Sequence, residues 1–203
     1  TACDDWTDTE GIDIIEADIE KDNPELYQKY LANLRAYRDT DHKLTLIQFN
    51  NTQDTPASRG ERLNAVPDSV DIINLKNPDE LSTWVTADME MLRKDKGMQF
   101  VFTIGYPDIE AAYEQYLSSK PAEEDDVEGE PVDEFLAFAG NYIEEKLALV
   151  DKYNYDGIAA TFYGMNSSHL TEAEKTTYLA REEAFMSKMS MWISANPEKL
   201  FIY

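Results

Sequence analysis

Positive charge is scarce in this sequence, where 18 Lys and Arg residues stand against 41 Asp and Glu residues for a formal charge of −23. No run of Lys or Arg forms a basic stripe, which excludes nucleic acid as a partner. No stretch approaches the roughly 18–20 consecutive apolar residues of a membrane-spanning helix. The 42% of hydrophobic residues still suffices for one sizeable core in a chain of 203 residues.

Cysteine occurs once, at Cys3, which excludes an intramolecular disulfide and any metal site built from cysteines. Small residues precede Cys3 and an acidic stretch follows it at positions 4–10. This pattern resembles the end of a bacterial lipobox and the export signal of surface lipoproteins in glycan-harvesting Gram-negative bacteria. The resemblance implies lipidation of Cys3 and a lipid anchor in the outer membrane, with the protein at the cell surface. An incidental cysteine near a frayed terminus is the alternative.

Two acidic segments divide the chain. Residues 1–23 are acidic with scattered apolar positions, which predicts a tether ahead of a folded domain at 24–203. The composition turns acidic again at about 119–131, which predicts a solvated insertion. The insertion lacks the ligand spacing of a calcium loop, and no His, Asp and Glu set has metal-ligand spacing. We therefore predict neither a metal nor a cofactor.

Strand-like and helical segments alternate along the rest of the chain. The predicted strands are 42–50, 69–76, 98–106, 156–163 and 200–203, and the predicted helices are 24–37, 79–96, 107–118, 132–153 and 171–195. Such alternation implies parallel pairing with right-handed crossovers. No glycine-rich phosphate loop follows the first strand, so we expect an α/β fold of the (βα)8 TIM-barrel type. Five strands cannot close such a barrel, so we expect about the first five βα units of a longer protein.

The fourth predicted strand carries the most specific signal. Residues 153–163, YNYDGIAATFY, resemble the catalytic strand of glycoside hydrolase family 18, the chitinases and endo-β-N-acetylglucosaminidases. The pattern of that family is Asp-Gly-x-Asp-x-Asp-x-Glu, which Asp156 and Gly157 match. Residues 103–106, TIGY, partly match the Ser-x-Gly-Gly of the third strand. The resemblance spans roughly residues 43–203.

The later carboxylate positions of this motif have changed to Ala159, Thr161 and Tyr163. In the family the Glu is the general acid, and the Asp two residues earlier orients the N-acetyl nucleophile of the substrate. Period-two alternation places all three positions on the side that faces the barrel mouth, whereas Asp156 points away from it. A tyrosine is a poor general acid at neutral pH. We therefore predict no catalytic residue and lean towards a pseudoenzyme.

Aromatic and polar side chains that could bind a sugar are still present. We expect Tyr163 and Tyr106 to stack on pyranose rings, with polar partners from the strand and its loops. The predicted ligand-binding residues are Tyr163, Thr161, Tyr106, Asn50, Asn166 and His169. In the alternative readings Tyr163 plugs an abandoned site and His169 only precedes a helix cap.

The leading hypothesis is a non-catalytic cell-surface lipoprotein that binds N-acetylglucosamine-containing glycan for import. The first alternative is an active endo-β-N-acetylglucosaminidase or chitinase-like hydrolase, whose acid comes from another strand or from a further part of the protein. The second is an accessory subunit of an outer-membrane glycan transport complex without a ligand of its own.

Overall fold

The computed structural model describes residues 19–120, 134–163 and 167–203. Within them helices and strands alternate. The helices are α1 (Ile19–Asp22), α2 (Pro24–Arg38), α3 (Thr83–Lys96), α4 (Tyr106–Ser119), α5 (Glu134–Lys152) and α6 (Glu172–Ala195). The strands are β1 (Leu46–Phe49), β2 (Ile72–Leu75), β3 (Gln99–Gly105), β4 (Gly157–Thr161) and β5 (Leu200–Ile202). No helix in these ranges is both long and apolar enough to cross a bilayer.

The five strands form one parallel sheet in the order β1-β2-β3-β4-β5. In the register of β3 and β4, Thr103 lies beside Ala159 and Gly105 lies beside Thr161. A strictly sequential parallel order builds a barrel wall, whereas a doubly wound sheet reverses direction at a switch point. The predicted α/β fold of TIM-barrel type is confirmed over these five strands.

Helix ends follow local sequence signals. The carbonyl oxygen of the Asn23 side chain accepts a hydrogen bond from the Leu26 amide at 3.1 Å, and Pro24 opens α2. Gly97 ends α3 in the left-handed region, with φ of 72°. Thr171 and Glu174 form a capping box at the start of α6. The predicted tether ends in α1, while its residues 1–18 lie outside the described ranges.

The main core lies between the sheet and the helices that cover its outer side. Alternate residues of β3, among them Phe100 and Phe102, point outward into this core and are fully buried. The ring of Phe102 meets that of Tyr155 at 4.7 Å in an edge arrangement. Trp84 and Trp192 pack against the same core from α3 and α6, as their helical spacing predicts. The opposite face of the sheet is therefore left to form the barrel interior.

Helix α2 covers the amino-terminal end of the strands through charged contacts. The Arg38 guanidinium donates hydrogen bonds to the carbonyl oxygens of Asp68 and Val70, both at 2.7 Å. Arg35 donates to the carbonyl of Asp95 at 2.6 Å, at the end of α3. Leu31 alone is buried within α2. Arginine contacts, more than an apolar face, therefore hold this helix in place.

His42 belongs to the same end of the sheet. One ring nitrogen, Nδ1, lies 2.8 Å from the carbonyl oxygen of Thr40, and Nε2 lies 3.2 Å from Oδ1 of Asp71. The Thr40 carbonyl and then the Asp71 carboxylate favour the protonated ring, so together they raise the pKa of His42. His42 thus lies opposite the barrel mouth, as its place before β1 predicts.

A substitution at Gly157 tests how closely β4 packs against β5. A Cβ placed on Gly157 would lie 2.0 Å from the carbonyl oxygen of Leu200, which is backbone and cannot turn aside. We expect Gly157→Ala to lower the free energy of unfolding by about 1–3 kcal/mol or more. Gly140→Ala in α5 is the matched control, because nothing lies within 4 Å of its Cβ. That variant should gain up to about 1 kcal/mol. Urea unfolding measures both, and equal effects would contradict this packing.

His42 also predicts a pH dependence of stability. The folded state holds the His42 proton more tightly than the unfolded chain, because the folded pKa is raised. Its stabilisation is complete below the ordinary histidine pKa of about 6.5 and is lost as the pH rises through the folded pKa. We expect His42→Gln to flatten this decline in urea unfolding above pH 6.5, whereas His169→Gln keeps it. Identical pH profiles for the two variants would refute the assignment.

Candidate functional site

A hollow of about 450 Å³ lies at the carboxyl end of the strands. That volume is within the roughly 300–1,000 Å³ range of small-molecule sites. Its lining comes from the inner face of the sheet, from the loop after β2, from the first turn of α4, from α5 and from the residue Tyr163 beyond the end of β4. The lining residues are Gln48, Asn74, Leu75, Lys76, Pro78, Asp79, Thr103, Asp108, Tyr142, Lys146, Thr161 and Tyr163. The hollow therefore occupies the position at which TIM barrels carry their sites.

Asn74 belongs to the floor of the hollow. Its side-chain amide donates a hydrogen bond to the hydroxyl oxygen of Thr103 at 2.7 Å. Asn74 is only 8% exposed, and its carboxamide oxygen has no hydrogen-bond partner within the described ranges. A buried acceptor without a partner is costly, so the floor favours a ligand that brings a donor.

Of the three changed motif positions, β4 carries Ala159 and Thr161 on the inner side of the sheet, and Tyr163 follows just after the strand ends. Ala159 is buried beside Thr103, while Thr161 and Tyr163 line the hollow. Tyr163 is 71% exposed, which leaves its ring available at the rim. The structure therefore brings Thr161 and Tyr163 together, and no carboxylate comes from the inner face of β4.

Tyr106 does not join them. It begins α4 instead of ending β3, and its side chain is only 4% exposed. Its ring packs against Phe162 at 4.8 Å and Phe135 at 5.8 Å, on the helical side of the sheet. The expectation that Tyr106 faces the barrel mouth is therefore corrected. Gly105 takes the last inward position of β3, so the next residue turns outward.

The loop residues predicted from the sequence do not converge on the hollow either. Asn50 is exposed, and its side-chain oxygen accepts a hydrogen bond from the Thr52 amide at 3.3 Å. His169 is exposed in a short 3-10 helix before α6. Neither residue lines the hollow. Asn166, like Cys3, lies outside the described residues.

Asn51, the neighbour of Asn50, has a structural role, because it joins two loops at the hollow by hydrogen bonds. It is 5% exposed, donates to the carbonyl oxygen of Asn77 at 2.7 Å, and accepts from the Asn77 amide at 2.9 Å. These two bonds join the loop after β1 to the loop after β2. Asn51 therefore fixes one rim of the hollow.

Five charged or phenolic residues of the hollow were not predicted from the sequence: Lys76, Asp79, Asp108, Tyr142 and Lys146. Lys146 of α5 lies 2.5 and 2.6 Å from the two carboxylate oxygens of Asp79, and 5.3 Å from the centre of the Tyr142 ring. Burial, followed by the negative charges of Asp108 and Asp79, raises the pKa of Tyr142 to about 12. A signal was present, because Asp79 and Asp108 each follow a strand end by a few residues, where barrel sites are built.

The five-stranded parallel wall and the hollow at its carboxyl end define a chain of the TIM-barrel type. A family model described as "Glycoside hydrolase family 18, BT1044-like" matches residues 7–202, and the chain belongs to this family. The predicted resemblance to family 18 is thereby confirmed. A comparison with curated proteins gave no match.

A solved structure described as a selenomethionine form of BT1044 with a glutamate-to-glutamine substitution is similar in fold. Its TM-score is 0.57 at 21% sequence identity, and the match covers 94% of this chain. The chain corresponds to 59% of the length of that structure. The likeness supports the partial TIM-barrel architecture.

Proposed function

We propose that this chain binds an N-acetylglucosamine-containing glycan in the hollow without cleaving it. One observation carries the proposal: the inner face of β4 presents Ala159 and Thr161, and Tyr163 follows just after the strand, where the family motif has its acids. Neither a threonine hydroxyl nor a tyrosine phenol readily protonates a glycosidic oxygen at neutral pH. Loss of a positioned general acid lowers the rate by about 10²–10⁴, and loss of the group that orients the nucleophile lowers it further.

The chemistry of the hollow suits a neutral sugar ring. A pyranose has an apolar face for an aromatic ring and an edge of hydroxyl groups for polar side chains. The exposed ring of Tyr163 supplies the first kind of surface. Asn74, Asp79 and Lys146 supply polar groups of both signs on the floor and wall. These features support ligand binding in a site that lacks the motif acids.

Attachment to the cell surface is a second part of the proposal and rests on the sequence around Cys3 alone. A lipidated Cys3 followed by an acidic tether would hold the folded domain outside the outer membrane. The domain would then pass its bound glycan to an importer. We expect Cys3→Ser to abolish incorporation of labelled palmitate and to shift the protein from membranes to the soluble fraction. A membrane-bound Cys3→Ser protein would contradict lipid anchoring at this residue.

Tyr163 is the residue whose loss tests binding. We expect calorimetry to show that the intact protein binds chitotriose or an N-glycan, with no product released on long incubation. Removing the aromatic surface in Tyr163→Ala should weaken binding by about tenfold to hundredfold.

Tyr37→Ala is the matched control for this measurement. Tyr37 is 54% exposed and lies in α2, at the opposite end of the strands. Its loss should leave the affinity unchanged. Release of reducing sugar by the wild type would favour the active hydrolase. Absence of binding to both glycans, with recovery of membrane proteins in pull-downs, would favour an accessory subunit.

A further inference from the structure

A carboxylate occupies the inward position at the tip of β3. Gly105 ends the strand and has no side chain of its own, and the helix that follows returns Asp108 to this point. A Cβ placed on Gly105 would lie 2.5 Å from Oδ2 of Asp108 and 3.3 Å from its Cγ. The Asp108 carboxylate therefore fills the space in which a side chain of Gly105 would stand.

The register of the sheet brings this carboxylate next to β4. Gly105 pairs with Thr161, and paired residues on neighbouring parallel strands, roughly 4.8 Å apart, direct their side chains to the same face. Asp108 and Thr161 both line the hollow. The first turn of α4 thus places the carboxylate of Asp108 beside Thr161, whose side chain offers only a hydroxyl group.

The surroundings of Asp108 leave its oxygens available to a ligand. The cation Lys146 is held by Asp79, at 2.5 and 2.6 Å. Asp108 forms no ion pair or hydrogen bond within the described residues. The buried carboxamide oxygen of Asn74, on the floor of the same hollow, is a second acceptor without a partner there. The buried Asn74 oxygen and the exposed Asp108 carboxylate together favour a ligand that carries several donors.

We propose that Asp108 is the residue that determines specificity in this hollow, by accepting hydrogen bonds from adjacent hydroxyl or acetamido N–H groups of the glycan. This inference rests on the proposed function. Hydrogen bonds to Asp108 would select saccharides with free hydroxyl or N–H donors. They would disfavour saccharides whose hydroxyl groups are methylated or acetylated, because the Asp108 carboxylate and the Asn74 oxygen would then stay unpaired.

Calorimetry of the intact protein with chitotriose and an N-glycan tests the role of Asp108. Asp108→Asn keeps the shape of the side chain but replaces one acceptor oxygen with a donor. We expect it to weaken binding by about tenfold or more, since a hydrogen bond to a charged acceptor is lost. Glu114→Gln, an exposed acid on the same helix, is the matched control and should bind like the wild type. Thermal unfolding shows that each variant is folded.

The pKa of Tyr142 tests the position of the Asp108 carboxylate in the absence of any glycan. Because the charge of Asp108 contributes to the raised pKa of Tyr142, Asp108→Asn should lower the pKa of that tyrosine, as followed by NMR of labelled tyrosine. An unchanged pKa of Tyr142 would overturn the placement. If Tyr163→Ala loses binding while Asp108→Asn keeps it within twofold, this inference fails and the proposed function stands. If the wild type binds neither glycan, both fail.

Discussion

Side-chain alternation along β3 and β4 is the constraint on which the rest of the structure depends. On one face Phe102 and Ile158 enter the core beneath the helices, and on the other Thr103 and Thr161 face the barrel interior. A shift of one residue would exchange the two faces, exposing the apolar set and burying the polar one. The core that holds the sheet and the hollow that could hold a ligand therefore come from the same period of two.

The strand ends decide which chemistry reaches the hollow. At β4 the inward series continues to Tyr163, which leaves an aromatic ring at the rim. At β3 the strand stops at Gly105, so Tyr106 turns outward. Its ring packs against Phe162 and Phe135, while Asp108 returns inward. The inner face of β4 carries no acid, yet the hollow still has the carboxylates of Asp79 and Asp108, which follow β2 and β3. Their positions suit the recognition of sugar hydroxyls, and the inner face of β4 offers no proton donor of the usual kind.

Local signals made most of the fold predictable. Pro24, Gly97 and the pair Thr171 and Glu174 mark helix ends by backbone chemistry that acts within a few residues. Alternation along one strand also predicted that Thr161 and Tyr163 would share a face. The prediction for Tyr106 failed because it rested on the place of this residue at the strand end and not on its parity: Tyr106 follows the inward Gly105, shares the outward side of Phe102 and begins α4. The pair of Asp79 and Lys146 joins residues 67 apart in sequence, and the docking of α2 depends on arginine bonds to distant carbonyls. No local pattern encodes such contacts.

The central proposal for this protein is that it binds a glycan in the hollow without cleaving it. A crystal structure of the intact protein after long incubation with chitotriose tests it most directly. We expect an uncleaved trisaccharide in the hollow, with one ring against Tyr163 and hydrogen-bond donors directed at Asp108. Cleaved product in the hollow, or a trisaccharide bound elsewhere, would contradict it.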